Sequence, residues 1–308
     1  MISPPTICPV PPVRRRLPAS RLVVPHVPLD GDVLRLPVGP GAIHVMHYGH
    51  GGPAVLLLHG FTTSAPLWRH VAPVLLARGC QVIVADLLGF GESDRPVGGP
   101  YTVSAQARYI DRALALLRID RVVAVGHDLG GVVLRRLAAF RPERIAALVI
   151  CSPTPGDQTA GPEIEAVREQ AGTALLEISS RPLGVVDLLG PVLRAAVGEP
   201  DAMSDGTIAR FAAPYTGSQG ARHLLDLARA VVEDEDAPTL TASELGTMRV
   251  TGEGDPMVAT PGIPLLRLPG ARRLLPLEQP GALSALIMER VQSTHESSVS
   301  LEDGDESD

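Results

Sequence analysis

One aspartate in a tight glycine frame has an evident chemical task. Gly126-His127-Asp128-Leu129-Gly130-Gly131 follows the apolar run Val122-Val123-Ala124-Val125 and leads straight into a helical pattern. Small residues on both sides let the backbone turn sharply from strand to helix and lift the central side chain above a sheet edge, as in a nucleophile elbow. A serine at the tip would suit ester cleavage. A carboxylate suits displacement at an sp3 carbon, with an alkyl ester on the protein as intermediate. The plainer alternative is an ordinary strand-turn-helix with Asp128 as its N-cap, a position aspartate favours.

Positioning such a residue takes a sheet. Short apolar runs at 54–58 and 81–85, the run before the elbow, and a further run at 144–151 read as strands buried on both faces, and 248–251 resumes the pattern later. Helical spacing at 67–78, 103–117 and 129–140 alternates with them, which predicts an α/β fold: a mostly parallel central sheet with helices on both faces. Two strand patterns at 32–36 and 42–48 flank the turn-like Pro37-Val38-Gly39-Pro40-Gly41 and predict a hairpin at the sheet edge.

The strand pattern stops between 154 and 238, where helical spacing at 163–178, 185–197 and 220–233 predicts a helical cap. The expected division is a proline-rich N-terminal arm at 1–28, a first core part at 29–153, the cap at 154–238, a second core part at 239–295 and an acidic tail at 296–308. Arm and tail lack the apolar content to order themselves.

At 308 residues and 45% hydrophobic content, the chain can bury a sizeable core. Its net charge of -7 is concentrated in the tail, and no basic stripe suits nucleic acid. All 27 basic side chains are arginine, which excludes a lysine Schiff base. Cys8, Cys80 and Cys151 are scattered without metal or redox spacing, so reduced thiols in a cytoplasmic protein are expected. Prolines interrupt any signal-peptide core, and no apolar run approaches ~18 residues, so no membrane association is expected. No dinucleotide fingerprint or metal-ligand cluster is present, and the expected partner is a small molecule, without a cofactor.

The elbow, together with His59-Gly60-Phe61-Thr62 and Asp86-Leu87-Leu88-Gly89-Phe90-Gly91-Glu92-Ser93-Asp94, resembles the α/β-hydrolase superfamily, within it the epoxide hydrolase and haloalkane dehalogenase branch. The resemblance is densest from Ala54 to Pro153. It implies that Asp128 is the nucleophile and that the backbone N–H groups of Phe61 and Leu129 form the oxyanion hole. His59 and the loop at 86–94 are implied to be structural. Phe61 is more like epoxide hydrolases than dehalogenases, and Thr62 stands where both have proline. Trp68 is the only tryptophan, so the paired aromatic N–H donors with which many dehalogenases hold halide are missing. Gly252-Glu253-Gly254-Asp255-Pro256 matches the loop of the triad acid, which implies Asp255. In the cap, Tyr215 is placed as a pocket residue by the tyrosines that epoxide hydrolases use; Thr62 and His223 are further pocket candidates.

The chain departs from the family at one point. Where relatives place a histidine after glycine, ahead of a string like Leu277-Glu278-Gln279-Pro280, this chain has Arg272-Arg273. Arginine stays protonated at any working pH and cannot activate water. Arg273 is expected to pair with Asp128 or Asp255, or to turn outward to solvent. His127, His223 and His295 are not placed by sequence as substitutes. The expectation is an α/β-hydrolase-fold enzyme acting on a small, largely apolar substrate at Asp128, non-hydrolytic in the manner of a cyclase, isomerase or lyase. The alternatives are an epoxide hydrolase-like enzyme with a relocated base and a catalytically silent ligand-binding protein.

Overall fold

The computed structural model describes residues 31–153, 162–169, 177, 184–231, 247–256 and 264–302. The arm at 1–28 with Cys8, parts of the expected cap, and 303–308 lie outside the described residues.

Eight strands form one sheet: β1 (Gly31–Pro37), β2 (Ala42–Tyr48), β3 (Ala54–Leu58), β4 (Gln81–Ala85), β5 (Val122–His127), β6 (Ile145–Cys151), β7 (Met248–Gly252) and β8 (Leu266–Leu268). Their order is β1-β2-β4-β3-β5-β6-β7-β8. β1 and β2 are the antiparallel edge hairpin, with Gly31 opposite Tyr48 and Pro37 opposite Ala42, and β2 runs antiparallel to β4. All other pairs are parallel. The wholly apolar runs became the interior strands because both faces are covered; every residue of β5 is buried.

Between the strands run α1 (Ala72–Ala77), α2 (Val103–Leu116) and α3 (Leu129–Phe140). The helix α2 starts where Thr102 accepts a hydrogen bond from Ala105 N–H, a side-chain N-cap. The expected helix over 67–78 is broken: a 3-10 turn at Ala65–Trp68 is followed by α1. Pro73 has no N–H for an i→i−4 bond and clashes with the preceding turn, so it is tolerated only near a new helix start.

The described part of the cap consists of α4 (Pro162–Glu169), α5 (Gly184–Ala195), α6 (Asp205–Ala212) and α7 (Gly217–Ala230), which pack on one another. Sequence spacing missed α6, whose Ser204 cap accepts from Thr207 N–H, because the segment is short. After β8 come α8 (Leu275–Glu278) and α9 (Pro280–Glu302). α2 packs on α3, and α1 on α9, while α3 and α9 both rest on β5 and β6. The last helix runs through the start of the stretch expected to be disordered. Once its first turns are packed, each added residue needs only one further hydrogen bond, and composition does not report that.

The chain passes from β3 outward to β4, then returns to lay β5 on the other side of β3. At such a reversal the connections leave in opposite directions and open a crevice beyond the carboxyl ends of the two strands. His59-Gly60-Phe61 follows β3, and Asp128 follows β5.

Candidate active site

Asp128 holds a backbone conformation that L-residues avoid, with φ 49° and ψ -119°. The close approach of strand and helix enforces it: a Cβ on Gly126 would lie 2.4 Å from Gly131 N, so only glycine fits. Asp128 N–H donates to Cys151 O at 3.1 Å, which ties the elbow to the end of β6. The predicted elbow is thus present, and its side chain is not a helix cap, since it makes no capping bond.

The two carboxylate oxygens have different partners. Oδ2 accepts from Phe61 N–H at 3.2 Å, and Leu129 N–H also bonds the carboxylate. Phe61 and Leu129 are the residues to which the family resemblance assigns the oxyanion-hole donors; here both N–H groups bond the Asp128 carboxylate. Oδ1 accepts from Arg273 Nη2 at 2.6 Å, with the two side chains 4% and 3% exposed. Arg273 is thus turned inward, away from solvent, and paired with Asp128. Burial alone would push the Asp128 pKa up; Arg273, then His127 and the two backbone donors, outweigh it and hold the carboxyl below its usual range.

His127 and His59 have other work. A carbonyl can only accept, so His127 Nε2–H donates to Arg273 O at 3.1 Å. Burial pushes the His127 pKa down to about 4, which leaves the ring neutral at pH 7. Its Nδ1 is walled off, since a Cβ on Gly60 would stand 2.7 Å from it. His59 donates from Nδ1 to Gly60 O at 2.7 Å and accepts Leu87 N–H on Nε2 at 3.1 Å, a structural role. The side chain of His295 lies outside the described residues.

Asp255 is buried and accepts the Thr251 hydroxyl on Oδ2 at 2.6 Å, close enough for its charge to act on His127. Thr62 is buried beside Phe61. Tyr215 and His223 meet at the junction of cap and core: their rings stack with centroids 6.5 Å apart, and His223 Nε2 donates to Gly89 O at 2.7 Å. Tyr215 Oη is fully buried and has no hydrogen-bond partner among the described residues. Burial pushes the phenol pKa up, so the hydroxyl keeps its proton.

Sequence reasoning missed the groups that hold Arg273 in place. Its N–H donates to Ala196 O at 2.9 Å, just past α5 of the cap. Glu278 accepts Arg272 N–H on one oxygen and Gly198 N–H on the other, joining the same loop to the cap. Ser152 Oγ donates to Arg273 O at 2.6 Å. Only the Leu277-Glu278-Gln279-Pro280 string gave any signal, and it did not specify these contacts.

A family model described as the alpha/beta hydrolase fold matches residues 53–177. The chain is 41% identical over 106 residues to a fluoroacetate dehalogenase from Burkholderia sp, covering 33% of this chain and 34% of that protein. It is 34% identical over 135 residues to bifunctional epoxide hydrolase 2 of Rattus norvegicus, covering 43% and 24%. The match thus spans about a third or less of these relatives' lengths. The solved structure of epoxide hydrolase CorEH superposes with a TM-score of 0.69 at 19% identity, over 86% of this chain and 99% of that one. With the strand order and the sharp turn after β5 in place, this chain has the α/β-hydrolase fold, and over about a third of its length or somewhat more it is similar to epoxide hydrolases and a dehalogenase.

Proposed function

We propose that the protein is an enzyme acting on a small, largely apolar organic substrate in a capped pocket at Asp128, by chemistry that needs no activated water. Cyclases, isomerases and lyases are of this kind. The observation that carries the reading is the Arg273 guanidinium on Asp128 Oδ1; the family resemblance would put a histidine base at that sequence position. Asp128 is held ionised, so it serves as a nucleophile or a fixed negative charge rather than as an acid. When it attacks carbon, the C–O bond forms as the bond to the leaving oxygen or halogen breaks. The electron pair goes to the leaving atom, and Arg273 keeps a negative partner only if that anion stays nearby. Release without water then requires a second nucleophilic group of the substrate to displace the Asp128 carboxylate, which takes back the electron pair of the ester C–O bond as the new bond to carbon forms. The need for a nearby anion favours an epoxide, whose alkoxide remains tethered, over a halide that departs. Tyr215, a buried and protonated hydroxyl without a partner among the described residues, supports a role as donor to such an oxygen. Phe61, Leu129 and Thr62 would line the pocket, with Asp255 and His223 supporting it.

A second reading is hydrolysis of an epoxide by a relocated base; the name of one similar protein, an epoxide hydrolase, is consistent with its reaction class. A silent binding protein is disfavoured by the retained nucleophile and oxyanion donors.

Intact-protein mass and product mass after incubation with a panel of epoxides and alkyl halides separate these readings. The expected result is conversion of an epoxide by the parent protein to a product of unchanged mass, lost in Asp128→Asn, with a transient adduct on Asp128; Arg273→His should divert that adduct to diol. Steady diol formation by the parent, with 18O taken up from labelled water, would overturn the non-hydrolytic reading in favour of the second. Saturable binding with neither adduct nor product would favour the third.

A further inference from the structure

Among the described residues, three that are not glycine have positive φ: Arg118, Asp128 and Ser152. The last two end the adjacent parallel strands β5 and β6, and both touch Arg273, one through its guanidinium and the other through its carbonyl. Ser152 has φ 50° and is fully buried. A glycine would occupy that conformation without strain, and a non-glycine residue held there marks a position whose side chain is needed.

The Ser152 hydroxyl has a single proton, and it is used on Arg273 O at 2.6 Å. The neighbouring Thr251 hydroxyl, 3.3 Å away, gives its own proton to Asp255. Ser152 N–H donates to Val250 O at 2.7 Å, so the serine is itself fixed to β7. The Arg273 carbonyl therefore accepts from Ser152 and His127 on the core side, while its amide reaches Ala196 on the cap side. With its main chain fixed at both ends, the arginine side chain is aimed at one place.

We propose that Ser152 is a positioning residue of this site: by holding the Arg273 carbonyl, it sets where the guanidinium meets Asp128 Oδ1. Its importance for reactivity rests on the reading of Asp128 as the reacting group, whereas the placement itself does not.

The test uses the full chain labelled with 15N-arginine. Buried, paired guanidinium groups exchange their Nη protons slowly, and the Arg273 signal is identified by its loss in Arg273→Met. In Ser152→Ala and Ser152→Gly, Arg273 Nη exchange should speed up by about tenfold, the scale of one lost buried hydrogen bond. Arg144, paired with Asp111 at 2.9 Å elsewhere in the core, should keep its rate. Ser152→Gly also removes the positive-φ strain, so it stays folded if the alanine variant does not. Unchanged Arg273 exchange in a folded variant overturns the proposal, and so does an equal acceleration at Arg144, which would report general loosening. The same variants are then exposed to the epoxide panel, where a changed rate of Asp128 adduct formation is expected. Faster Arg273 exchange with no adduct in any protein, the parent included, supports the placement and counts against Asp128 as the reacting group.

Discussion

His127 Nε2 lies 3.1 Å from the carbonyl oxygen of Arg273, and this contact engages the one N–H of the imidazole beside Asp128. The ring's one N–H is turned away from Asp128, and its lone pair faces Gly60. The histidine next to the elbow is a brace for the arginine loop.

The Asp128–Arg273 pair is buried, so removing one partner leaves an uncompensated charge in a low-dielectric site. Arg273→Met should lose about 3–5 kcal/mol of stability in urea denaturation, and Asp128→Asn should be destabilised in the same way. The double variant should lose less than the sum of the two.

Acid should act on the site in two steps. His127 has a folded pKa of about 4 against an ordinary 6.5, so the unfolded chain binds more protons between these values and stability falls as pH drops through that window. His127→Gln should flatten this part of the curve while keeping a donor for Arg273 O. The folded pKa of Asp128 is below 3.8, so its contribution is complete above about pH 4 and is lost as pH falls through the folded value. Asp128→Asn should flatten only that lower limb, which denaturation midpoints measured from pH 7 downward would reveal.

Gly126→Ala should fail at the elbow. Its Cβ would meet Gly131 N at 2.4 Å, in backbone that has nowhere to move. A loss of at least about 1–3 kcal/mol is expected, and any folded protein should show weakened adduct formation at Asp128. Full stability and an unchanged adduct rate would contradict the close-approach geometry.

Thr251→Val removes the hydroxyl that donates to Asp255 at 2.6 Å in a fully buried place. The cost should be about 1–3 kcal/mol, since a buried acceptor loses a partner that water cannot replace. Thr251→Ser should recover most of it.

His223→Ala should loosen the cap, because the bond from His223 to Gly89 joins α7 to a core loop. Limited proteolysis should cut the cap faster at an unchanged core melting temperature. Equal cleavage rates would show that this bond does not hold the cap.

Much of the frame was legible in the chain. β3 and β4 carry the bounds that the apolar runs predicted, because strands buried on both faces leave a continuous hydrophobic signature, and β2 and α3 carry the bounds of the edge-strand pattern and the helical spacing. The elbow was legible too, since only glycine allows that turn to pack so closely. The family resemblance singled out Asp128, Phe61 and Leu129, and these meet because they follow directly on β3 and β5. Spacing was silent on short elements such as α6 and β8, which lack enough residues for a period to register.

The partner of Arg273 was decided by tertiary structure alone. In the chain it stands 145 residues from Asp128, with solvent, Asp128 and Asp255 all open to its flexible side chain. Its main chain is held by the side chains of Ser152 and His127 and by the Ala196 carbonyl, groups that lie at the ends of separate strands and just past α5 and meet only when the sheet is assembled. Local residue type and periodicity determined where a carboxylate could be presented; long-range hydrogen bonding determined which charge would meet it.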